Sequence, residues 1–82
     1  MYEILFSERA KKQFQKLAPE TQTRVGAVIE RLKIRPFSIV KKLANTNFFR
    51  VRAGDYRLIL EILQEKLIIH VVEVGHRKNV YK

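Results

Sequence analysis

Three arginines lie on either side of a glycine–aspartate pair in the second half of the chain. Arg50 and Arg52 precede Gly54-Asp55, and Arg57 follows it. A Gly-Asp pair between β-favouring segments is typical of a two-residue turn, which would place Arg52 opposite Arg57. Since side chains alternate between the two faces of a strand, all three arginines would share one face. Guanidinium groups bind phosphate oxygens in pairs, so this cluster indicates an anionic ligand.

A second candidate segment combines cations with an aromatic ring at the end of the chain. His76, Arg77, Lys78 and Tyr81 lie within the seven residues that follow Gly75. Cations suit phosphate contacts and an aromatic ring suits stacking on a base. Histidine titrates near neutral pH, so His76 is a candidate acid or base. The alternative is an ordinary solvated basic tail.

Composition limits the classes of protein that can carry these residues. The chain has 82 residues, 17 Lys plus Arg, 8 Asp plus Glu, and a net charge of +9. The length predicts a single domain over residues 1–82, and a hydrophobic content of 46% excludes a wholly disordered tail. The absence of cysteine excludes disulfides and thiol nucleophiles. Without a basic leader or a long apolar run, we expect a cytoplasmic protein that does not enter membranes.

The first half of the chain predicts one strand and two helices. Tyr2–Phe6 is short and β-favouring, and Ser7 is a good N-cap for the helix that follows. Ala18-Pro19 ends that helix, and Pro19 suits the first position of the next, which ends at Arg35-Pro36. Apolar residues recur at helical spacing at Ala10, Phe14 and Leu17, and then at Val25, Val28, Ile29 and Leu32.

The second half predicts a loop and three strands. The loop covers Phe37 to Asn47, and the strands are Phe48–Ala53, Tyr56–Leu63 and Lys66–Val74. Gly54-Asp55 and Gln64-Glu65 are the expected turns. The order β-α-α-β-β-β predicts an α+β fold, in which a helical hairpin packs on a largely antiparallel sheet.

The predicted strands have two different faces. Phe49, Val51, Tyr56, Leu58, Leu60, Ile62, Leu67, Ile69 and Val71 form an apolar face that should pack on the helices. The arginines share the other face with Glu61, His70, Phe48, Ile59, Ile68, Val72 and Val74. Like charges placed opposite each other destabilise a sheet, which favours an anionic ligand on this face. The alternative is that the arginines are solvated and one of them pairs with Glu61.

Two segments resemble the RelE toxins of the RelE/ParE superfamily. The first, Arg52–Glu61, has the pattern R-x-G-D-Y-R, then three hydrophobic residues and a glutamate; the second, Val74–Tyr81, has V-G-H-R-x-x-V-Y. The order of elements and the length match as well, so the resemblance covers essentially the whole chain. It implies a type II toxin that cleaves mRNA in the ribosomal 30S A site, depends on the ribosome, and is neutralised by an acidic RelB-like antitoxin in a hetero-oligomer.

The resemblance also implies roles for individual residues. Arg57 and Arg77 would bind the phosphate and stabilise the transition state when a ribose 2′-hydroxyl attacks the adjacent phosphate. Arg50 and Arg52 would orient the mRNA or share that charge. Tyr81 would stack on a base or position the 2′-hydroxyl. No His, Asp or Glu set has metal-ligand spacing, so we expect neither a metal nor another cofactor.

One departure from the family pattern leaves the general base open. The best-studied pattern has lysines at the positions of Arg50 and Arg52. Arginine stays protonated and is therefore not a natural base. His76, Glu61 and Tyr81 are the alternatives.

Other functions remain as alternatives to the nuclease. The gyrase-inhibiting ParE branch shares the fold and the antitoxin. A catalytically inactive toxin-fold module that binds DNA with its antitoxin fits the charge equally well. A general RNA-binding domain is a third alternative. The basic outer face of the helices, formed by Arg9, Lys12, Lys16 and Arg24, could meet an antitoxin or ribosomal RNA.

Overall fold

The fold is one mixed sheet with two helices on one side. The computed structural model describes residues 1–76. The elements are β1 (Glu3–Phe6), α1 (Glu8–Gln15), α2 (Pro19–Ile34), β2 (Lys41–Lys42), β3 (Phe49–Ala53), β4 (Tyr56–Leu63) and β5 (Ile68–His76). The strand order is β1-β5-β4-β3-β2, with β1 parallel to β5 and the other pairs antiparallel. The predicted α+β fold with a largely antiparallel sheet is confirmed. No helix within residues 1–76 is long and apolar enough to cross a membrane.

Both helices begin at the predicted residues. The Ser7 side chain accepts a hydrogen bond from the Ala10 amide at 3.0 Å and caps α1. The same hydroxyl donates to the carbonyl of Val72 at 2.8 Å, which ties the start of α1 to β5. Pro19 is the first residue of α2, where its missing N–H costs nothing.

The core lies between the helices and one face of the sheet, as predicted. Its buried residues are Ala10, Val25, Val28 and Leu32 from the helices and Val51, Ala53, Leu58, Leu60, Ile69, Val71 and Val74 from the strands. Burial of these side chains is the main stabilising term of such a domain. Within residues 1–76, both helices lie on this side and leave the opposite face of the sheet open.

The hairpin between β3 and β4 has the predicted register. Gly54 has a φ of +64°, a conformation that glycine adopts without strain. Arg52 pairs with Arg57 and Arg50 pairs with Ile59. The arginines therefore lie on the open face of the sheet.

The predicted loop over Phe37 to Asn47 contains a strand that the sequence did not indicate. Lys41 pairs with Arg50, and Lys42 pairs with Phe49, at the edge of the sheet. A strand of two residues is too short to show a period of two, so no pattern could have revealed it.

The connection between β4 and β5 differs from the predicted two-residue turn. A 3-10 helix covers Gln64–Lys66, and Leu67 has a φ of 53°. Strand β5 consequently starts at Ile68, not at Lys66, and Leu67 is 48% exposed, not on the apolar face. A four-residue connection preserves the alternation, so Ile69 still faces the core as predicted.

A β-bulge changes which residues of β5 face the core. Leu60 pairs with Val71 but Ile59 pairs with Glu73, so Val72 is an extra residue in β5. The prediction that Val74 lies on the arginine face is therefore wrong, because Val74 is 2% exposed and packs in the core.

Candidate functional site

The open face of the sheet carries an open, positively charged pocket. It has a volume of ≈ 190 Å³ and is lined by Lys41, Arg50, Arg52, Arg57, Ile39 and Val51. We call it the basic pocket. Its cations come from three adjacent strands, which lie about 4.8 Å apart in a sheet. No carboxylate of residues 1–76 lines the pocket. The electrostatic potential of its four cations therefore favours the binding of an anion.

Strand pairing accounts for the position of each cation. Residues in register on neighbouring strands share a face, so Lys41 lies beside Arg50, and Arg52 lies beside Arg57. On the β5 side of Arg57, its partner in register is Gly75, which has no side chain. The basic pocket therefore has two neighbouring rows of cations, one with Lys41 and Arg50 and one with Arg52 and Arg57.

The carboxylates on β4 and β5 lie outside the pocket. Glu73 is 3.7 Å from the guanidinium of Arg9 on α1. Glu61 pairs with His70 across the strands, with 3.9 Å between His70 Nδ1 and Glu61 Oε1. The alternative in which Glu61 pairs with an arginine is therefore less favoured than a pairing with His70.

The structure places His76 away from the basic pocket. His76 pairs with Tyr56, and their ring centroids are 5.5 Å apart in an edge-to-face contact. Tyr56 also pairs with buried Ala53, so His76 shares the face of the sheet on which the helices pack. The bulge at Val72 is the cause, since an unbroken register would place His76 on the same face as the arginines.

Two predicted site residues, Arg77 and Tyr81, lie outside the described residues. Their roles stay predictions from the resemblance. Arg50, Arg52 and Arg57 are brought together as predicted, and Lys41 is an additional lining residue that the sequence did not indicate.

The pair of opposing arginines makes a stability prediction. Replacing Arg52 with glutamate should raise the free energy of unfolding by about 0.2–1 kcal/mol, because an opposite charge would then face Arg57. The melting temperature, followed by circular dichroism, should rise by a few degrees. Arg52→Lys preserves the repulsion with Arg57 and should leave the melting temperature unchanged. A lower melting temperature for Arg52→Glu would contradict the assigned cost of this pair.

A helical hairpin packed on one side of a five-stranded mixed sheet is the fold of the RelE toxins whose structures are solved. The chain belongs to the family described as the ParE toxin of type II toxin-antitoxin systems, whose model matches residues 4–81. It is thus a type II toxin of the RelE/ParE superfamily.

Individual relatives agree with this family. A RelE-like toxin protein of Escherichia coli is 31% identical over 81 residues, which cover 95% of this chain and 85% of the relative. The mRNA interferase toxin RelE of Escherichia coli K12 is 26% identical over 82 residues, with the same two coverages of 95% and 85%. The toxin-antitoxin complex RelBE2 of Mycobacterium tuberculosis contains a chain with 29% identity and a TM-score of 0.79, covering 93% of this chain and 98% of that one.

Proposed function

We propose that this toxin is a ribosome-dependent endoribonuclease that cleaves mRNA in the 30S A site. The observation that carries the proposal is the basic pocket, where four cations converge on an open sheet face with no lining carboxylate in residues 1–76. Such a pocket attracts the phosphate backbone of a nucleic acid, and RNA is the nucleic acid that we propose. The similarity to the mRNA interferase toxin RelE supports the same activity.

The proposed reaction is attack of a ribose 2′-hydroxyl on the adjacent phosphate. It leaves a 2′,3′-cyclic phosphate and a 5′-hydroxyl, and negative charge builds up on the phosphate oxygens in the transition state. Arg52 and Arg57 can receive that charge, because guanidinium groups bind phosphate oxygens in pairs. Arg50 orients the mRNA beside them. Arg77 and Tyr81 keep the roles that the resemblance implies.

The chemistry of the three pocket arginines supports a dependence on the ribosome. The arginines supply charge but no proton exchange, so much of the rate must come from holding the 2′-hydroxyl in line with the scissile bond. The ribosome can supply that orientation by fixing the mRNA in the A site.

We also propose that a RelB-like acidic antitoxin neutralises the toxin in a cytoplasmic hetero-oligomer. The similar Mycobacterium tuberculosis protein is part of a toxin-antitoxin complex. The net charge of +9 favours an acidic partner. Apolar Leu5, which is 44% exposed, and half-buried Ile59 and Ile68 lie on the open face and give such a partner an apolar surface.

The test compares the same short mRNA in programmed ribosomes and free in solution. We expect cuts in phase with the A-site codon when ribosomes are present, and at least a hundredfold slower cleavage of free mRNA. Primer extension locates the cuts. The upstream products, whose 3′ ends carry the cyclic phosphate, should resist poly(A) polymerase until polynucleotide kinase removes that phosphate. Equal rates on free and ribosome-bound mRNA would contradict the dependence on the ribosome.

DNA gyrase inhibition is the second candidate function. The name of the matching family model, ParE toxin, favours it. A supercoiling assay with purified gyrase separates the two. Inhibition of supercoiling without mRNA cleavage would favour the ParE activity, and neither effect would favour an inactive binding module.

A further inference from the structure

The proposed reaction needs a proton donor for the leaving group, and the arginines of the basic pocket cannot serve as one. When the bond from phosphorus to the 5′-oxygen breaks, that oxygen leaves as an alkoxide unless it receives a proton. Guanidinium groups hold their protons too tightly to donate them in a normal pH range. Arg50, Arg52 and Arg57 can therefore stabilise charge but cannot protonate the leaving group.

Lys41 is the only residue lining the basic pocket, within the described part of the chain, whose charged group exchanges protons readily. It lies on the edge strand β2 beside Arg50, and its side chain is exposed to incoming RNA. The lysine ammonium has three donor protons on a flexible four-carbon stem, so it can follow the leaving oxygen.

No other described acid or base is as well placed. Arg50 and Arg52 face Lys41 from β3, Arg57 faces it from β4, and Ile39 is the neighbour from the segment before β2. Glu73 and His70 lie on β5, three strands from β2 and thus about 14 Å away. Glu61 lies beside His70, and His76 lies on the opposite face of the sheet.

We propose that Lys41 is the general acid that protonates the leaving 5′-oxygen, an assignment that rests on the proposed endoribonuclease function. The 2′-oxygen bonds to phosphorus and its proton passes to water. The bond from phosphorus to the 5′-oxygen breaks, and that oxygen takes a proton from the Lys41 ammonium. The resulting amine regains a proton from water.

A substrate with sulfur in place of the scissile 5′-oxygen isolates this step. A thiolate leaves without protonation, so the loss of a general acid no longer slows the reaction. Lys41→Arg and Lys41→Ala are compared with wild type in single-turnover cleavage of both mRNAs on saturating programmed ribosomes. Lys42→Ala is the matched control, because Lys42 is also exposed but pairs with Phe49 and therefore lies on the other face of β2.

We expect both Lys41 variants to cleave the oxygen substrate about 100-fold more slowly than wild type, a usual size for general acid catalysis. On the sulfur substrate they should fall within a few-fold of wild type, and Lys42→Ala should match wild type on both. Arginine retains the charge, so a purely electrostatic role predicts nearly normal rates for Lys41→Arg.

Three results would overturn the assignment. Equal losses on the two substrates would show that Lys41 acts before or apart from departure of the leaving group. A Lys41→Ala rate close to wild type would show that another group donates the proton. Failure of the wild type to cleave either mRNA would instead remove the endoribonuclease function, and with it this role.

Discussion

Arg57→Ala should slow mRNA cleavage on the ribosome by about 10²–10³-fold, the usual cost of removing one preorganised donor from a developing negative charge. Arg57 is half-buried on β4 and lines the basic pocket. Its backbone is held on a strand, not on a loop, which restricts where the guanidinium can lie before the phosphate arrives. The measurement is the single-turnover rate of cleavage on saturating programmed ribosomes.

Two further variants define the cause of that loss. Arg57→Lys keeps one positive charge but loses the planar fork, so we expect a rate between those of wild type and Arg57→Ala. Arg31→Ala, an exposed arginine on α2, is the matched control and should cleave at the wild-type rate. A wild-type rate for Arg57→Ala would place the transition-state charge elsewhere.

The pairing of the arginines was predictable because the turn is short. A Gly-Asp pair leaves few registers for the strands around it, and the alternation of side chains then decides which residues share a face. Arg50, Arg52 and Arg57 are together in the structure for that reason. The α1 cap at Ser7 and the α2 start at Pro19 were predictable from equally local chemistry.

Two features of the site depend on contacts that local patterns do not contain. Lys41 belongs to the site only because two residues of an aperiodic segment pair with β3. His76 is on the far face only because Val72 is an extra residue in β5. The hydroxyl of Ser7 binds the Val72 carbonyl, and the Gln13 side chain accepts the amide of Val74, so α1 holds the bulge in place from 60 residues or more away.

Function and stability lie on opposite faces of the same strands. Arg57 faces the basic pocket, whereas the next residue, Leu58, faces the core. The like charges on one face cost stability, which the apolar face must offset. A change at Leu58 should therefore act on folding, not on the chemistry.

Leu58→Ala should destabilise the protein by about 2–5 kcal/mol, the usual cost of truncating a buried leucine. Leu58 is 0% exposed and pairs with Val51 and Val74, so the cavity left behind would be enclosed by other core side chains. Domains of this kind have a total stability of about 5–15 kcal/mol, and an 82-residue chain lies toward the lower end. Urea unfolding followed by circular dichroism gives the change in free energy.

Leu67→Ala removes the same atoms at a surface position and is the matched control. Leu67 is 48% exposed after the 3-10 turn, so its loss should cost well under 1 kcal/mol. If the two faces are as separate as the structure indicates, the folded fraction of Leu58→Ala in the cold should cleave mRNA within a few-fold of the wild-type rate. A severe catalytic loss in fully folded Leu58→Ala would mean that the core packing under Arg57 also sets the geometry of the pocket.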